Sequence, residues 1–412
     1  MQHASPSAHH AAERAARTAY GKLVAVLAVR ARDIHTAEDA LSEAFAEALL
    51  TWPRDGVPDS PEAWLLTAAR NNLTDTQRKH TRARTTAMND ADPIRSLLWS
   101  VDPTSSPDER LTMLFVCAHP AIDPAVRTPL MLQAVMGLNA EQIAGAFITS
   151  PSTMSQRLVR AKRKLADSAV RFDRPDTDDL PSRLNDVLEA IYGAFAVAYD
   201  QFDASDGPGT TLAAESLDLV AIVTHQLPDH AEAWGLRALM LLCHARRLTR
   251  RDPHGRYVPL AEQDATMWDH ALIEAGNQAL ENAAALKSPG RFQTEAAIQS
   301  IHTDAKIRGV DLSIHLARMH DVLVTQSPTI GSQIARAAAW THAGHAHEAL
   351  RMLDALHAES IESHQPYWAV RAAVMRSLGN HTAAATCYQR AAGLTTDQAV
   401  RRWLLDQIPA HG

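Results

Sequence analysis

The strongest constraint on this chain is the period of its apolar residues. Alanine fills 74 of the 412 positions, and Val, Ile and Thr never gather into runs that alternate polar with apolar. The period to expect is therefore the 3.6 of a helix and not the 2 of a half-buried strand. An all-α protein follows. At 412 residues the chain exceeds what one core usually serves, so two or three domains are expected. Its longest apolar stretches, such as Leu23–Val29 and Leu236–Leu242, fall well short of the roughly 20 residues a membrane span needs. The N-terminus lacks a basic-then-apolar leader. These features predict a soluble, unexported, cytoplasmic protein with no membrane partner. Cys117, Cys243 and Cys387 lie more than 120 residues apart, which offers neither a disulfide framework nor close-spaced metal ligands and suits a reducing compartment.

Charge divides the chain. Through Phe172 there are 20 Lys+Arg against 18 Asp+Glu, and from Asp173 onward 20 against 29. The basic residues of the first part bunch at Arg70–Arg84 and at Arg157–Lys164, where five of eight positions are basic. Two such clusters ahead of an acidic half suggest a nucleic-acid-binding front, although a basic helix face can also be plain solvated surface. Breakers set the boundaries. Residues 85–106 and 173–180, rich in Pro, Asp and Ser/Thr, read as linkers, and Asp203–Thr211 reads as a loop inside the last domain. The expected domains are 1–84, 107–172 and 181–412.

In the first block Leu23, Leu27 and Ile34 share a face of an opening helix. A second helix is predicted over about Thr36–Thr51, N-capped by Thr36, with Ala40, Leu41, Ala44, Phe45, Ala48 and Leu49 as its core stripe. Glu38, Asp39, Ser42, Glu43 and Glu47 then form an acidic outer face. A third helix starts after Ser60 with Pro61 in its first turn, burying Leu65, Ala68, Ala69 and Leu73 and leaving Arg70, Asn71, Asn72, Asp75 and Arg78 as donors and acceptors for phosphates and base edges.

The segments Ala37-Glu-Asp-Ala-Leu-Ser-Glu-Ala-Phe45 and Pro61-Glu-Ala-Trp-Leu-Leu-Thr-Ala-Ala-Arg-Asn-Asn-Leu-Thr-Asp75, in that order, resemble domain 2 of the extracytoplasmic-function (ECF) group of bacterial sigma factors. The resemblance implies a core-polymerase-binding face on Glu38, Asp39, Ser42 and Glu43, which would meet the beta-prime clamp helices. It also implies a role in melting and reading the minus-10 element for Trp64, Arg70, Asn71, Asn72, Asp75 and Arg78. The ring of Trp64 itself is expected to pack in the core.

The most informative stretch lies in the second block. Gly137 stops one helix, Asn139 caps the next with Gln142 three residues on, and Ile143, Ala144 and Phe147 face inward. Ser150–Pro151 then restarts a helix carrying Ser155, Gln156, Arg157, Arg160 and Lys162 on its outer face. A short support helix, a tight turn and a polar second helix make a helix-turn-helix pattern, and Arg and Gln can read guanine and adenine edges bidentately. Ala-Glu-Gln-Ile-Ala and Ser-Thr-Met-Ser-Gln-Arg-Leu-Val-Arg-Ala-Lys-Arg-Lys-Leu165 resemble domain 4 of the same sigma group. That resemblance implies minus-35 contacts from Ser155, Gln156, Arg157, Arg160 and Lys162. One departure is Ile148, where the turn often has glycine.

Past Pro181 two stretches superpose at a shift of 35 residues: Gly344, Ala349 and Leu353 match Gly379, Ala384 and Tyr388. With Trp368, Ala391 and Leu394 they fit the tetratricopeptide period of about 34 residues. Such a domain can be a partner-binding groove or simply packed helices. Leu180-Pro-Ser-Arg-Leu184 and Glu262-Gln-Asp-Ala-Thr-Met-Trp-Asp-His-Ala-Leu-Ile273 make the whole chain similar to the ECF sigma factors with a fused C-terminal tetratricopeptide-like domain. The Phe-Ala-Val-Ala-Tyr stretch at 195–199 lacks the Asn-Glu pair expected of that subgroup. The implied partners are core RNA polymerase (beta-prime clamp helices and beta subunit), promoter DNA, and an intramolecular or protein partner of the repeat domain. No cofactor, metal or catalytic residue is expected: His342, His345 and His347 lack a second ligand cluster, and Cys117 near His119 suits core packing better than a nucleophile pair. The rival reading is a helix-turn-helix regulator with a repeat sensor that does not replace sigma.

Overall fold

A computed structural model of the chain describes residues 6–84, 107–147, 149–168, 170–172, 175–176, 179–200, 212–357 and 361–408. The expected linker at 85–106 and loop at 203–211 lie outside the described residues. Among those described, every regular element is helical, and the extended pairing amounts to one bridge between Arg251 and Tyr257. The chain forms two compact units. Residues 6–200 with 212–223 belong to the first, and residues from 224 onward to the second.

The first unit opens with α1 (Pro6–Ala31), α2 (Ile34–Asp55) and α3 (Pro61–Arg84). Six consecutive residues of α1, Leu23 to Ala28, are buried. A helix apolar on all sides must be covered on all sides: α2 and α3 pack on it, and so do α4 (Pro107–Cys117) and α5 (Pro124–Ala134). Arg32, in the left-handed region at φ 55°, separates α1 from α2, so Ile34 starts the second helix and does not extend the first. The cap is Asp33 and not Thr36, since the Asp33 carboxylate accepts the backbone N–H groups of His35 and Thr36. It outcompetes the hydroxyl because two carboxylate oxygens can serve two orphan donors at once. On α2 the buried stripe runs Ala37, Ala40, Leu41, Ala44, Ala48 and Trp52. Leu49, expected inside, is 40% exposed, being one residue off that stripe.

After α5 come α6 (Ala140–Ala146), α7 (Pro151–Asp167), α8 (Leu180–Asp200) and α9 (Leu212–Gln226). The residues at 181–200, expected to open the C-terminal domain, pack with the first unit instead: α8 lies against α5, and Arg127 Nη1 is 2.8 Å from Asp186 Oδ2. The start of α9 adds a half-buried carboxyl. Burial pushes Glu215 up to about 7, with Asp218 and Glu62 acting in the same direction and Arg110 opposing them. Because the folded chain keeps a proton that the unfolded chain releases near 4.5, this carboxyl makes stability fall as pH rises from about 4.5 to about 7. Glu215→Gln is expected to flatten that slope and to raise the melting temperature at pH 8 by ~2–4 °C, the shift that about 1 kcal/mol produces in a unit of this size. Calorimetry of both chains at pH 5 and pH 8 checks it.

The second unit is a series of helices: α10 (Ala231–His244), α11 (His270–Ala285), α12 (Arg291–Arg308), α13 (Ser313–Gln326), α14 (Ile330–His342), α15 (Ala346–Asp354), α16 (Gln365–Ser377), α17 (His381–Leu394) and α18 (Gln398–Asp406). The 35-residue repeat in the sequence is a repeat in the backbone. Gly344 and Gly379 take φ of 84° and 78°, where a side chain would be strained. The residue after each glycine donates to a carbonyl five residues back, His345 to Trp340 and Asn380 to Met375, both at 2.9 Å. This is the Schellman closure of a helix. Ala349, Leu353, Ala384, Tyr388 and Ala391 are buried as the repeat requires, whereas Leu394 is 37% exposed. The long connection before α11 is held by side chains: Trp268 Nε1 donates to Thr249 Oγ1 at 3.0 Å, and Arg251 pairs with Asp397 at the start of α18.

Candidate functional site

Two faces of the first unit carry the residues singled out in the sequence. The first is the outside of α2. Alternation of the buried stripe with polar residues leaves Asp39, Ser42, Glu43 and Glu47 exposed. His35 Nδ1 lies 3.2 Å from Asp39 Oδ2, and Ser42 Oγ donates to the Glu38 carbonyl at 2.8 Å. Leu50, 71% exposed, extends this face as an apolar neighbour. Leu50 has no role in the sequence expectations, where the core stripe ends at Leu49. The acidic side chains also act inward: burial, Glu38 and Asp39 push the Tyr20 hydroxyl up to about 12.

The residues assigned to α3 divide. Asn71 and Asp75 are exposed. Asn72 turns inward, its Nδ2 donating to the Ala40 carbonyl of α2 at 3.3 Å. Arg70 is half-buried, with its Nε enclosed and unpartnered; burial and the Arg30 charge pull its pKa below the usual value, against the pull of Glu109. Trp64 packs edge-on against buried Trp52, ring centroids 5.5 Å apart, so its ring serves the core. The side chain of Arg78 lies outside the described residues.

The second face is built by α6 and α7. Asn139 and Gln142 form the reciprocal capping box, the Gln142 N–H donating to Asn139 Oδ1 at 2.9 Å and the Asn139 N–H to Gln142 Oε1 at 3.0 Å. Ser150 caps α7 by accepting the Thr153 N–H at 3.2 Å. Both caps match the sequence expectation. Ile148 lies outside the described residues, and Phe147, expected inside, is 39% exposed because it falls at the C-cap of α6. Met154, Leu158, Ala161 and Leu165 are buried on α7, which turns Ser155, Gln156, Arg157 and Arg160 to solvent. These four side chains form one polar, cationic strip.

Lys162 departs from that strip. Its Nζ is 2.6 Å from Glu38 Oε1, and the two side chains are only 14% and 20% exposed. One residue of the acidic face and one of the basic face therefore neutralise each other within the first unit. Arg30 Nη2, 3.5 Å from Glu109 Oε1, ties α1 to α4 in the same way. Sequence spacing gave no hint of either pair.

Elsewhere the chemistry is sparse. Cys117 is fully buried, and burial pushes its thiol pKa up. His119 Nδ1 accepts the Ala121 N–H at 3.1 Å. Among the described residues no group of three or more His, Cys, Asp or Glu could hold a metal ion, and no helix is long and apolar enough to cross a membrane.

The acidic helix and the polar-basic helix lie in a part of the chain that a family model matches. Residues 16–83 match the model of sigma-70 region 2. The match supports a sigma-70 family factor with a role in transcription initiation, which implies binding to core RNA polymerase and promoter DNA. Residues 183–284 match a family of unknown function, DUF6596. Over 394 residues the chain is 31% identical to an uncharacterized protein of Rhizobium meliloti (strain 1021), with 92% of each chain covered. No solved structure matches.

Proposed function

We propose that this protein is an alternative sigma factor of the ECF type, carrying a C-terminal tetratricopeptide-like domain that controls or supports its activity in the cytoplasm. In this reading Glu38, Asp39, Ser42 and Glu43 meet the beta-prime clamp helices, and Asn71 and Asp75 on the exposed middle of α3, with Arg78, reach the minus-10 element. α6 and α7 act as a helix-turn-helix on the minus-35 element through Ser155, Gln156, Arg157 and Arg160. The protein performs no catalysis itself. The observation that carries the reading is the pairing of the region 2 match with a separate, well-capped helix whose exposed strip holds Gln and Arg. Lys162 and Glu38 can serve DNA and polymerase together only once their ion pair has parted.

The deciding experiment is promoter-directed transcription by the full chain with purified core polymerase on a promoter library. Specific initiation supports the reading, and DNA binding without initiation would move it to a regulator that does not replace sigma. Reversing both Asp39 and Glu43 to Lys is expected to weaken core binding by about 2–5 kcal/mol, because charge of the wrong sign is then presented to the same partner surface. Undiminished binding would remove α2 from the interface. Arg157→Ala and Arg160→Ala should each cost about 1–3 kcal/mol in promoter binding. A base contact relaxes preference at one promoter position, whereas a phosphate contact weakens all sequences alike and lowers the salt slope by about one.

A further inference from the structure

A cavity of about 650 Å³ opens in the second unit between α12, α13 and α14, closed on one side by the loop at Pro259–Ala261. Each of the three helices contributes one imidazole to its wall: His302, His320 and His342. Small residues on the facing turns, such as Ala338 and Ala339, make the room, and most of the remaining wall is aliphatic. A volume of this size, largely apolar with a few convergent polar groups, is what a small-molecule site requires.

Three of the polar groups are imidazoles. Burial and the charge of Arg246 hold His302 down to about 4, and burial likewise lowers His320, so at neutral pH both rings are uncharged donors and acceptors. His320 is 9% exposed, and its Nδ1 is enclosed without a hydrogen-bond partner. Behind the wall stands Arg246, 5% exposed. Its Nη2 donates to Oε1 of the lining residue Gln299 at 2.6 Å, while Nε and Nη1 are enclosed and unpartnered. No described carboxylate forms an ion pair with it. Lys306, also in the wall, donates to the Ala261 carbonyl. The acid in the wall is Asp311, and its carboxylate is engaged by the Ser313 N–H at 2.9 Å. A buried guanidinium without a counter-anion is expensive, and here it stands one residue away from a largely apolar space lined by the uncharged rings of His302 and His320.

We propose that this cavity binds an amphiphilic organic acid, its apolar body in the alanine- and leucine-lined space and its carboxylate set on the side formed by Gln299, His302 and Lys306, in the field of Arg246. The inference does not rest on the sigma-factor reading. Its test is titration calorimetry of the full chain with octanoate, decanoate, dodecanoate and 2-naphthoate below their micellar concentrations, against 1-decanol and decylammonium. At least one carboxylate should bind saturably at one per chain and raise the melting temperature. The matched alcohol and ammonium should bind at least tenfold more weakly. Ala338→Trp, which fills the space from a half-exposed position, should abolish binding with unchanged helical circular dichroism, and Gln299→Leu should weaken it at least tenfold. Absence of saturable binding by every carboxylate would overturn the proposal. So would equal binding of the alcohol or the ammonium, or full binding by the folded Ala338→Trp chain.

Discussion

Gly21→Ala is expected to destabilise the first unit by ~3 kcal/mol or more, the upper range for forcing an atom into a closed packing site. Gly21 is buried in the middle of α1, and a Cβ there would stand 2.1 Å from the Val135 carbonyl oxygen, 2.7 Å from its carbon and 3.0 Å from the Gly137 N. All three are backbone atoms, so no rotamer change relieves the clash and α1 has to move away from the end of α5. The displacement opens the contact on which the six buried residues at Leu23–Ala28 depend. Gly145→Ala is the control. Gly145 lies within α6 with nothing within 4 Å of its Cβ position, so the same change there should stabilise by about 0.5–1 kcal/mol through the helix propensity of alanine. Urea unfolding of the three full-length chains measures both. A Gly21→Ala chain as stable as the parent would mean that α1 and α5 do not meet through backbone.

Glycine at this position illustrates what the sequence leaves unsaid. Local chemistry was legible: the Asn139–Gln142 box, the Ser150 cap and the paired turns at Gly344 and Gly379 depend on residues within a few positions of one another. Helix faces were legible where the stripe is unambiguous, as on α7. What failed was competition among neighbours and anything set by distant packing. Asp33 displaced Thr36 as a cap because a carboxylate next to a hydroxyl serves more donors. Asn72 and Arg70 look like surface groups in a polar run, yet Asn72 is drawn in by the Ala40 carbonyl and Arg70 by the ground beside Arg30 and Glu109. The C-terminal domain boundary moved because α8 holds Asp186 against Arg127, 59 positions apart. Truncation near Phe172 would therefore strip a partner from the first unit along with the repeats. The three cavity histidines sit 18 and 22 residues apart, one per helix, a spacing that matches no ligand motif.

The remaining prediction concerns Glu38 and Lys162. Glu38→Lys alone places two ammonium groups where a 2.6 Å ion pair stood, in side chains 20% and 14% exposed. It should lower the stability of the first unit by about 2–4 kcal/mol, near the range for breaking a buried pair. The exchange Glu38→Lys with Lys162→Glu restores attraction at the same two positions, so most of that loss should return. The coupling energy of this cycle isolates the pair from the solvation of either residue alone. Function should separate the two ends. Lys162→Met releases Glu38 without altering the acidic face, so on the sigma reading it should raise affinity for core polymerase several-fold while weakening promoter binding through loss of a cation. An inert surface pair gives neither effect, since exposed pairs contribute about 0–1 kcal/mol. If Lys162→Met leaves core affinity unchanged but lowers promoter binding, Glu38 is not a polymerase contact and the acidic face begins at Asp39. If both affinities fall together, the pair serves to hold α7 against α2 in the active form, and the two faces work without separating.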